Sequence, residues 1–185
     1  MASDIRTPHY SSLSIFMHWL MLALIVAVYA TMELKPYAAK GGALREALTI
    51  AHYAVGVAIF AAVWLRALIR LSNPAPLAQP GPRWQRVLSK ATHLTLYALM
   101  LGMPVLGWLW LSAKGQVLSF FGLDLPMAMG KDASWAKLFK QWHQFFANVG
   151  YGLMGLHVAA ALLHHYVMRD TTLQRMLPRL QRQPA

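Results

Sequence analysis

The sequence predicts an all-α integral membrane protein built as a four-helix transmembrane bundle. Two observations carry that prediction. The chain is 57% hydrophobic and only 12% charged, whereas a soluble domain carries about 25% charged residues. The charges are also crowded. Segments 7–32, 47–65, 91–113 and 141–168 contain no Asp, Glu, Lys or Arg and run for 26, 19, 23 and 28 residues. A helix of about 20 mostly apolar residues crosses a bilayer. We therefore expect membrane helices near 13–32, 48–68, 91–112 and 144–166, within one domain covering 1–185. A single apolar segment could be a soluble core helix; four in succession point to the membrane.

The first span follows a polar stretch, MASDIRTPHYSS, that contains Asp4. No small-residue cleavage site follows an apolar run of signal-peptide length, so the first span is read as a retained helix. Between the second and third spans lies SNPAPLAQPGP at 72–82, whose four prolines cannot continue a helix. Pro104 lies inside the third span and is expected to kink it. A long loop, roughly 113–142, precedes the fourth span; its apolar patch VLSFFGLDLPMAM is expected to lie along the membrane surface. Gly56, Gly102, Gly107, Gly150, Gly152 and Gly155 would allow close approach of a neighbouring helix or a flat ligand.

The net charge is +11. Such a balance commonly marks nucleic-acid binding, but here the basic residues flank apolar spans, so membrane lipids are the expected partner and nucleic acid is not. Ten Lys and Arg fall on the side of the termini and seven on the other. That bias places both termini on the inner, cytoplasmic side. There is no cysteine, which excludes a disulfide, a cysteine-ligated iron–sulfur cluster and c-type haem attachment.

All eight histidines, His9, His18, His52, His93, His143, His157, His164 and His165, lie in the charge-free segments. An ionisable residue at membrane depth is a functional candidate. His143 and His157 are fourteen residues apart, which is about 21 Å of helix and only about 40° of rotation. They share a face but cannot share one centre. Depth then pairs them with other helices. His52, near the start of an inward helix, matches His143 at the outer end. His18, near the start of an outward helix, matches His157 at the inner end. Two pairs of imidazoles from different helices are the ligand pattern of two bis-histidine b-type haems stacked across a bundle. Zinc fits poorly, because no cysteine or carboxylate lies within a span to complete its ligands. A proton relay could use the same residues without needing the pairing.

Other side chains are secondary candidates. Arg66 and Arg70, four apart on one face, could bind haem propionates, or could be there only for the inside-positive bias. His93 could replace a ligand of the inner pair or stay interfacial. His164 and His165 point to different faces, and one could contact a quinone head or a propionate.

The sequence resembles the prokaryotic cytochrome b-561 family along nearly its whole length. The resemblance rests on His18-Trp19, YATMEL at 29–34, Arg45 followed by His52, RALIRL at 66–71, HLTLY at 93–97 and MPVLGW at 103–108. Its most specific part is QWHQFFANVGYGLMGLHVAAALLHHYVMRDTTLQRMLPR, from Gln141 to Arg179. The resemblance implies four helices, two haems b, a place in the bacterial inner membrane and electron exchange with quinone. Cytochrome b subunits of membrane hydrogenases and formate dehydrogenases use the same spaced pair on their fourth helix. Within the family the likeness is greatest to superoxide oxidases, which implies a reaction: superoxide gives up one electron and leaves as O₂, and ubiquinone is reduced to ubiquinol. Basic outer residues suit an anionic substrate; Arg45, Lys114, Lys137 and Lys140 are the candidates for steering it. The alternative is an electron-transfer subunit that links a partner dehydrogenase or a periplasmic redox protein to the quinone pool. A histidine-bearing proton or metal transporter is a third possibility.

Overall fold

The computed structural model describes residues 10–73, 82–120 and 122–177. Four long helices dominate it: α1 (Ser12–Leu34), α2 (Ala43–Ser72), α3 (Arg83–Ala113) and α4 (Ala133–Tyr166). All four are long and apolar enough to cross a membrane. Short 3₁₀ turns follow α1 at Lys35–Tyr37 and close the described chain at Gln174–Met176. The inner end of the bundle is the one where α1 and α3 begin and α2 and α4 finish.

Three helices run well past their apolar spans. α2 begins at Ala43 rather than near 48, α3 at Arg83 rather than near 91, and α4 at Ala133 rather than near 144. The reason is physical: a charge-free window measures what hydrocarbon tolerates, not where backbone hydrogen bonding stops. At about 1.5 Å per residue, the 34 residues of α4 exceed the hydrocarbon core of about 30 Å. Side-chain caps mark the starts of α1 and α4, whereas α2 and α3 begin after Gly42 and Pro82 without one. The Ser11 hydroxyl accepts from Ser14 N at 3.2 Å at the head of α1. Asp132 Oδ1 accepts from Ser134 N at 2.8 Å and Trp135 N at 3.1 Å at the head of α4. Helix α3 carries Pro104 inside a continuous helical stretch.

The connection from α3 to α4 is correspondingly shorter than 113–142. Part of its apolar patch forms an antiparallel ribbon, β1 (Leu118–Phe120) and β2 (Leu123–Leu125), with Leu118 opposite Leu125 and Phe120 opposite Leu123. Gly122, between the strands, takes φ +80°, which glycine adopts without steric cost. The rest of the connection is fastened to α3: Trp108 Nε1 donates to Pro126 O at 3.1 Å, and Asp132 N to Ala113 O at 2.9 Å. The proline-rich connection before α3 lies largely outside the described residues.

A small core of Met21, Ile59 and Val63 joins α1 to α2, with Tyr97, Met100 and Leu101 of α3 packed against it. Phe16, Val26, Trp64, Leu68 and Leu71 stay exposed, as lipid-facing side chains should. α1 packs along α2 and α3 along α4, with a lesser contact between α2 and α3. Close backbone approach of α4 to α1 or α2 is sparse. Side chains bridge that gap instead. Tyr29 on α1 donates to Ala147 O on α4 at 2.8 Å, and its ring centre lies 4.2 Å from that of Tyr151. Tyr151 in turn donates to Glu33 at 2.8 Å. Gly150 is buried directly beneath the Tyr29 hydroxyl, where a Cβ would collide with that oxygen. Of the six small positions named above, Gly56, Gly102, Gly152 and Gly155 have open space beside them, and Gly107 faces His143.

Candidate functional site

The four paired histidines converge across the gap between the helix pairs. His52 of α2 and His143 of α4 have ring centres 6.2 Å apart at 69°. Toward the inner end, His18 of α1 and His157 of α4 are 6.3 Å apart at 65°. These separations can be compared with what a metal atom would require. A metal–imidazole bond is about 2.0–2.1 Å and a ring nitrogen lies about 1.1 Å from its ring centre, so two rings on opposite sides of one metal atom have centres about 6.3 Å apart. Rings packed edge-on without a metal reach the same separation, as Phe60 and Trp64 do at 6.3 Å, so the spacing admits one metal atom without requiring it. Both pairs therefore fit an axial bis-imidazole site with one metal atom between the rings.

The surroundings of each ring differ. His52 Nδ1 is 3.2 Å from Val28 O and 3.2 Å from Thr31 Oγ1. Donating Nδ1–H to the carbonyl leaves the Nε2 lone pair for a metal, the usual second contact of a ligating histidine. His143 lies against Gly107, where a Cβ would stand 3.5 Å from its Cε1, and its Nδ1 is buried, with the Met103 backbone beside the ring. His18 Nδ1 is 3.3 Å from a terminal nitrogen of Arg66. Arginine only donates, so that Nδ1 accepts and the hydrogen sits on Nε2. Ligation through Nε2 would require the opposite tautomer, so Arg66 would have to turn away from His18 if that nitrogen were to bind a metal.

Arg66 itself is buried. Its Nε donates to Tyr97 Oη at 3.1 Å and a terminal nitrogen reaches Ser14 O at 3.5 Å. No carboxylate among the described residues pairs with it. One terminal nitrogen of Arg70 is buried without a partner among the described residues, and its guanidinium carbon lies 4.8 Å from the Tyr10 ring centre. A buried guanidinium without a counter-anion is expensive. Arg66, with the half-buried Arg70 one turn on, suits a ligand that brings its own carboxylates, as haem does.

His93 is exposed and its ring centre is 5.4 Å from that of His157, edge-on at 86°. That is too short for a metal atom between the rings, and its Nδ1 is 2.6 Å from Ser89 O. It flanks the inner pair rather than replacing a member. His164 pairs with Asp170, Nδ1 to Oδ2 at 2.5 Å. His165 Nδ1 is buried without a partner among the described residues. His9 lies outside the described residues.

The candidate outer cations separate into two groups. The Arg45 guanidinium is tied down, donating to Lys35 O at 2.9 Å and Ala38 O at 3.3 Å. With Lys35, Gly41, Gly42, Glu46 and Thr49 it lines an open pocket of about 230 Å³. The Lys114 ammonium sits 5.5 Å from the Trp110 ring centre, and that ring is 6.5 Å from His143. A cation and an indole thus lead from the outer surface to the outer histidine pair. Lys137 and Lys140 are exposed on the outer extension of α4. Sequence reasoning passed over Trp110 and Tyr97. Both were reachable by helical spacing: Trp110 is four before Lys114, and Tyr97 is four after His93.

Comparison with known sequences agrees with this geometry. The family profile described as "Prokaryotic cytochrome b561" matches residues 9–179. The chain belongs to the prokaryotic cytochrome b561 family. Members of this family are membrane electron-transfer proteins that carry b-type haem, so the chain is a multi-pass membrane cytochrome of the oxidoreductase type. It is 33% identical over 172 residues to "Cytochrome b561 homolog 1" of Escherichia coli (strain K12), covering 92% of this chain and 97% of the relative. It is 36% identical over 171 residues to "Probable superoxide oxidase CybB" of Yersinia pestis, covering 92% and 96%. It is 28% identical over 176 residues to "Cytochrome b561 homolog 2" of Escherichia coli (strain K12), covering 93% of each.

Proposed function

We propose that this cytochrome b561 is a superoxide:ubiquinone oxidoreductase that takes electrons at its outer end and delivers them to ubiquinone. The observation that carries the reading is the pair of imidazole couples, 6.2 and 6.3 Å across, at two depths of one bundle, with cations at the outer mouth. In this reading His52 and His143 hold one haem b and His18 and His157 a second, each supplying a one-electron centre when bound. Arg66 and Arg70 neutralise propionates at the inner level. Likeness to a probable superoxide oxidase supports the choice of substrate.

The protein's own side chains then have distinct tasks. Lys114, Lys140, Lys137 and Arg45 make the outer mouth attractive to a small anion and raise its rate of encounter. Trp110 keeps Lys114 next to His143. Superoxide needs no general base, because oxidation to O₂ releases no proton and requires proximity only. Two superoxide ions supply the two electrons that, with two protons, convert one ubiquinone to ubiquinol. The termini face the cytoplasm and the outer mouth faces the periplasm.

The deciding experiment uses purified, haem-loaded protein in detergent. Superoxide from xanthine oxidase should reduce the Soret and alpha bands, and added ubiquinone-1 should reoxidise them with formation of ubiquinol. No band reduction by superoxide would overturn the reading. A stoichiometric co-purifying dehydrogenase, required for any reduction, would favour the electron-transfer subunit instead.

A further inference from the structure

The two imidazole pairs are alike in spacing and unlike in charge. Around the outer pair the near contacts are neutral. His52 Nδ1 faces Val28 O and Thr31 Oγ1, each at 3.2 Å. His143 lies beside Gly107 and the Met103 backbone. The outer cations stand further off and in water. Lys114 is exposed beyond the Trp110 ring. Lys35 and Arg45 line an open pocket that they share with Glu46. Solvent and salt screen charges placed so.

The inner pair has a cation in direct contact. Arg66 is only 8% exposed, and one of its terminal nitrogens is 3.3 Å from His18 Nδ1. Its Nε donates to Tyr97 Oη at 3.1 Å, and a terminal nitrogen reaches the carbonyl of the buried Ser14 at 3.5 Å. These neutral acceptors from α1 and α3 hold the guanidinium without cancelling its charge. The acidic residues are elsewhere. Glu33, Glu46, Asp124 and Asp132 lie toward the outer end, and Asp170 is engaged with His164 and Thr172. A buried lysine or histidine could lose its proton to escape the cost of burial, but arginine stays charged. The inner pair therefore carries a permanent positive charge.

Such a charge acts on any electron that arrives beside it. At an effective dielectric of about 20, a unit charge about 10 Å from a redox centre favours the reduced form by about tenfold or more. Arg66 touches a proposed ligand and is nearer than that. The sign does not depend on its rotamer. Pointed at the His18 ring, or swung onto a carboxylate that the cofactor brings, the guanidinium adds positive charge to the inner centre alone. The half-buried Arg70, one turn on, adds to the same end.

We propose that Arg66 sets the direction of electron flow through the bundle, its buried charge making the inner centre the easier of the two to reduce. The inference rests on the two-haem reading given above. One electron leaves the iron between His52 and His143, which is oxidised, and reduces the iron between His18 and His157. No bond forms or breaks and no proton moves. The outer centre is thereby emptied for the next electron. Tyr97 and Ser14 act through Arg66, by holding its guanidinium at this depth.

The test is an equilibrium redox titration of the purified, haem-loaded protein, followed in the alpha bands, with each band assigned through the histidine variants. In the wild type the inner component should have the higher midpoint. Arg66→Gln should lower the equilibrium constant for transfer from the outer to the inner centre at least tenfold, about 59 mV for one electron, through the inner midpoint alone. Arg66→Lys keeps the charge and should stay within about threefold of the wild type. Because the charge is buried, the gap between midpoints should survive a rise from roughly 20 to 500 mM salt. An inner midpoint equal to or below the outer one in the wild type would overturn the proposal, even if Arg66→Gln fails to retain haem. Unmoved midpoints in Arg66→Gln, or equal displacement of both, would do the same, as would a gap that collapses in salt and so belongs to exposed cations. One haem per chain with a single component defeats the two-haem reading itself; two components of equal midpoint defeat this proposal alone.

Discussion

Replacing Gly150 by alanine perturbs a single contact. In the structure a Cβ at position 150 would run into the Tyr29 hydroxyl, whereas the next atom of that ring, Cζ, is 3.7 Å away, an ordinary contact. The Tyr29 oxygen must therefore move and give up its 2.8 Å hydrogen bond to Ala147 O. Overpacking costs about 1–3 kcal/mol, and the lost hydrogen bond about 0.5–1.5 kcal/mol. Alanine returns about 0.5–1 kcal/mol through better helix formation. The expected net loss is about 1–3 kcal/mol. Tyr29→Phe removes the colliding oxygen, so adding Gly150→Ala to it should cost nothing or stabilise the protein slightly. The assay is a double-mutant cycle on reversible unfolding of the purified protein in mixed micelles, followed by helical circular dichroism. A coupling of about 1–3 kcal/mol is expected between contacting residues. Strictly additive effects, or a Gly150→Ala variant as stable as wild type, would refute the contact between α1 and α4 on which this reasoning stands.

Three further outcomes follow from the site. His52→Ala or His143→Ala should disturb mainly the outer haem, and His18→Ala or His157→Ala the inner one, read from haem stoichiometry and from low-temperature alpha bands; an intact pair of spectra in His143→Ala or His157→Ala would show the pairing to be wrong. Lys114→Glu should lower the second-order rate of haem reduction by superoxide by roughly tenfold at low salt and flatten its dependence on ionic strength; an unchanged salt dependence would remove Lys114 from the outer mouth. The Asp170 carboxyl has a folded-state pKa below its ordinary value, so its pairing stabilises the inner turn above about pH 4 and is lost as pH falls through the lowered value. The stability difference between wild type and Asp170→Asn should therefore shrink on acidification, and a difference that grows would contradict the pair.

Much of this was legible because the bilayer is a severe filter. Hydrocarbon excludes charge, so the four spans stand out in the sequence, and fourteen residues between His143 and His157 convert directly into depth and direction. Helix ends were less legible. The extension of α4 back to Ala133 depends on the Asp132 cap and on water tolerating Lys137 and Lys140, none of which a hydropathy window senses. The strand pair at 118–125 is too short for alternation to register against an apolar background. Lateral contacts were harder still. That Arg66 turns inward to Tyr97, while Lys114 rests on Trp110, depends on the rotation of whole helices about their axes. His93 was placed at the correct end, but its edge-on approach to His157 depends on how α3 leans on α4.

The sparse backbone packing between α4 and the α1–α2 pair bears on how the protein is made. A translocon can release α1 with α2, and later α3 with α4, as two finished hairpins, each stable in lipid before it meets the other. Joining them then falls to the contact of α2 with α3 and, for α4, to imidazoles, Tyr29, Tyr151 and whatever occupies the space between. In a cell short of haem the hairpins would remain loosely associated and open to membrane proteases. Cofactor supply, rather than synthesis of the chain, would then set how much of this cytochrome accumulates.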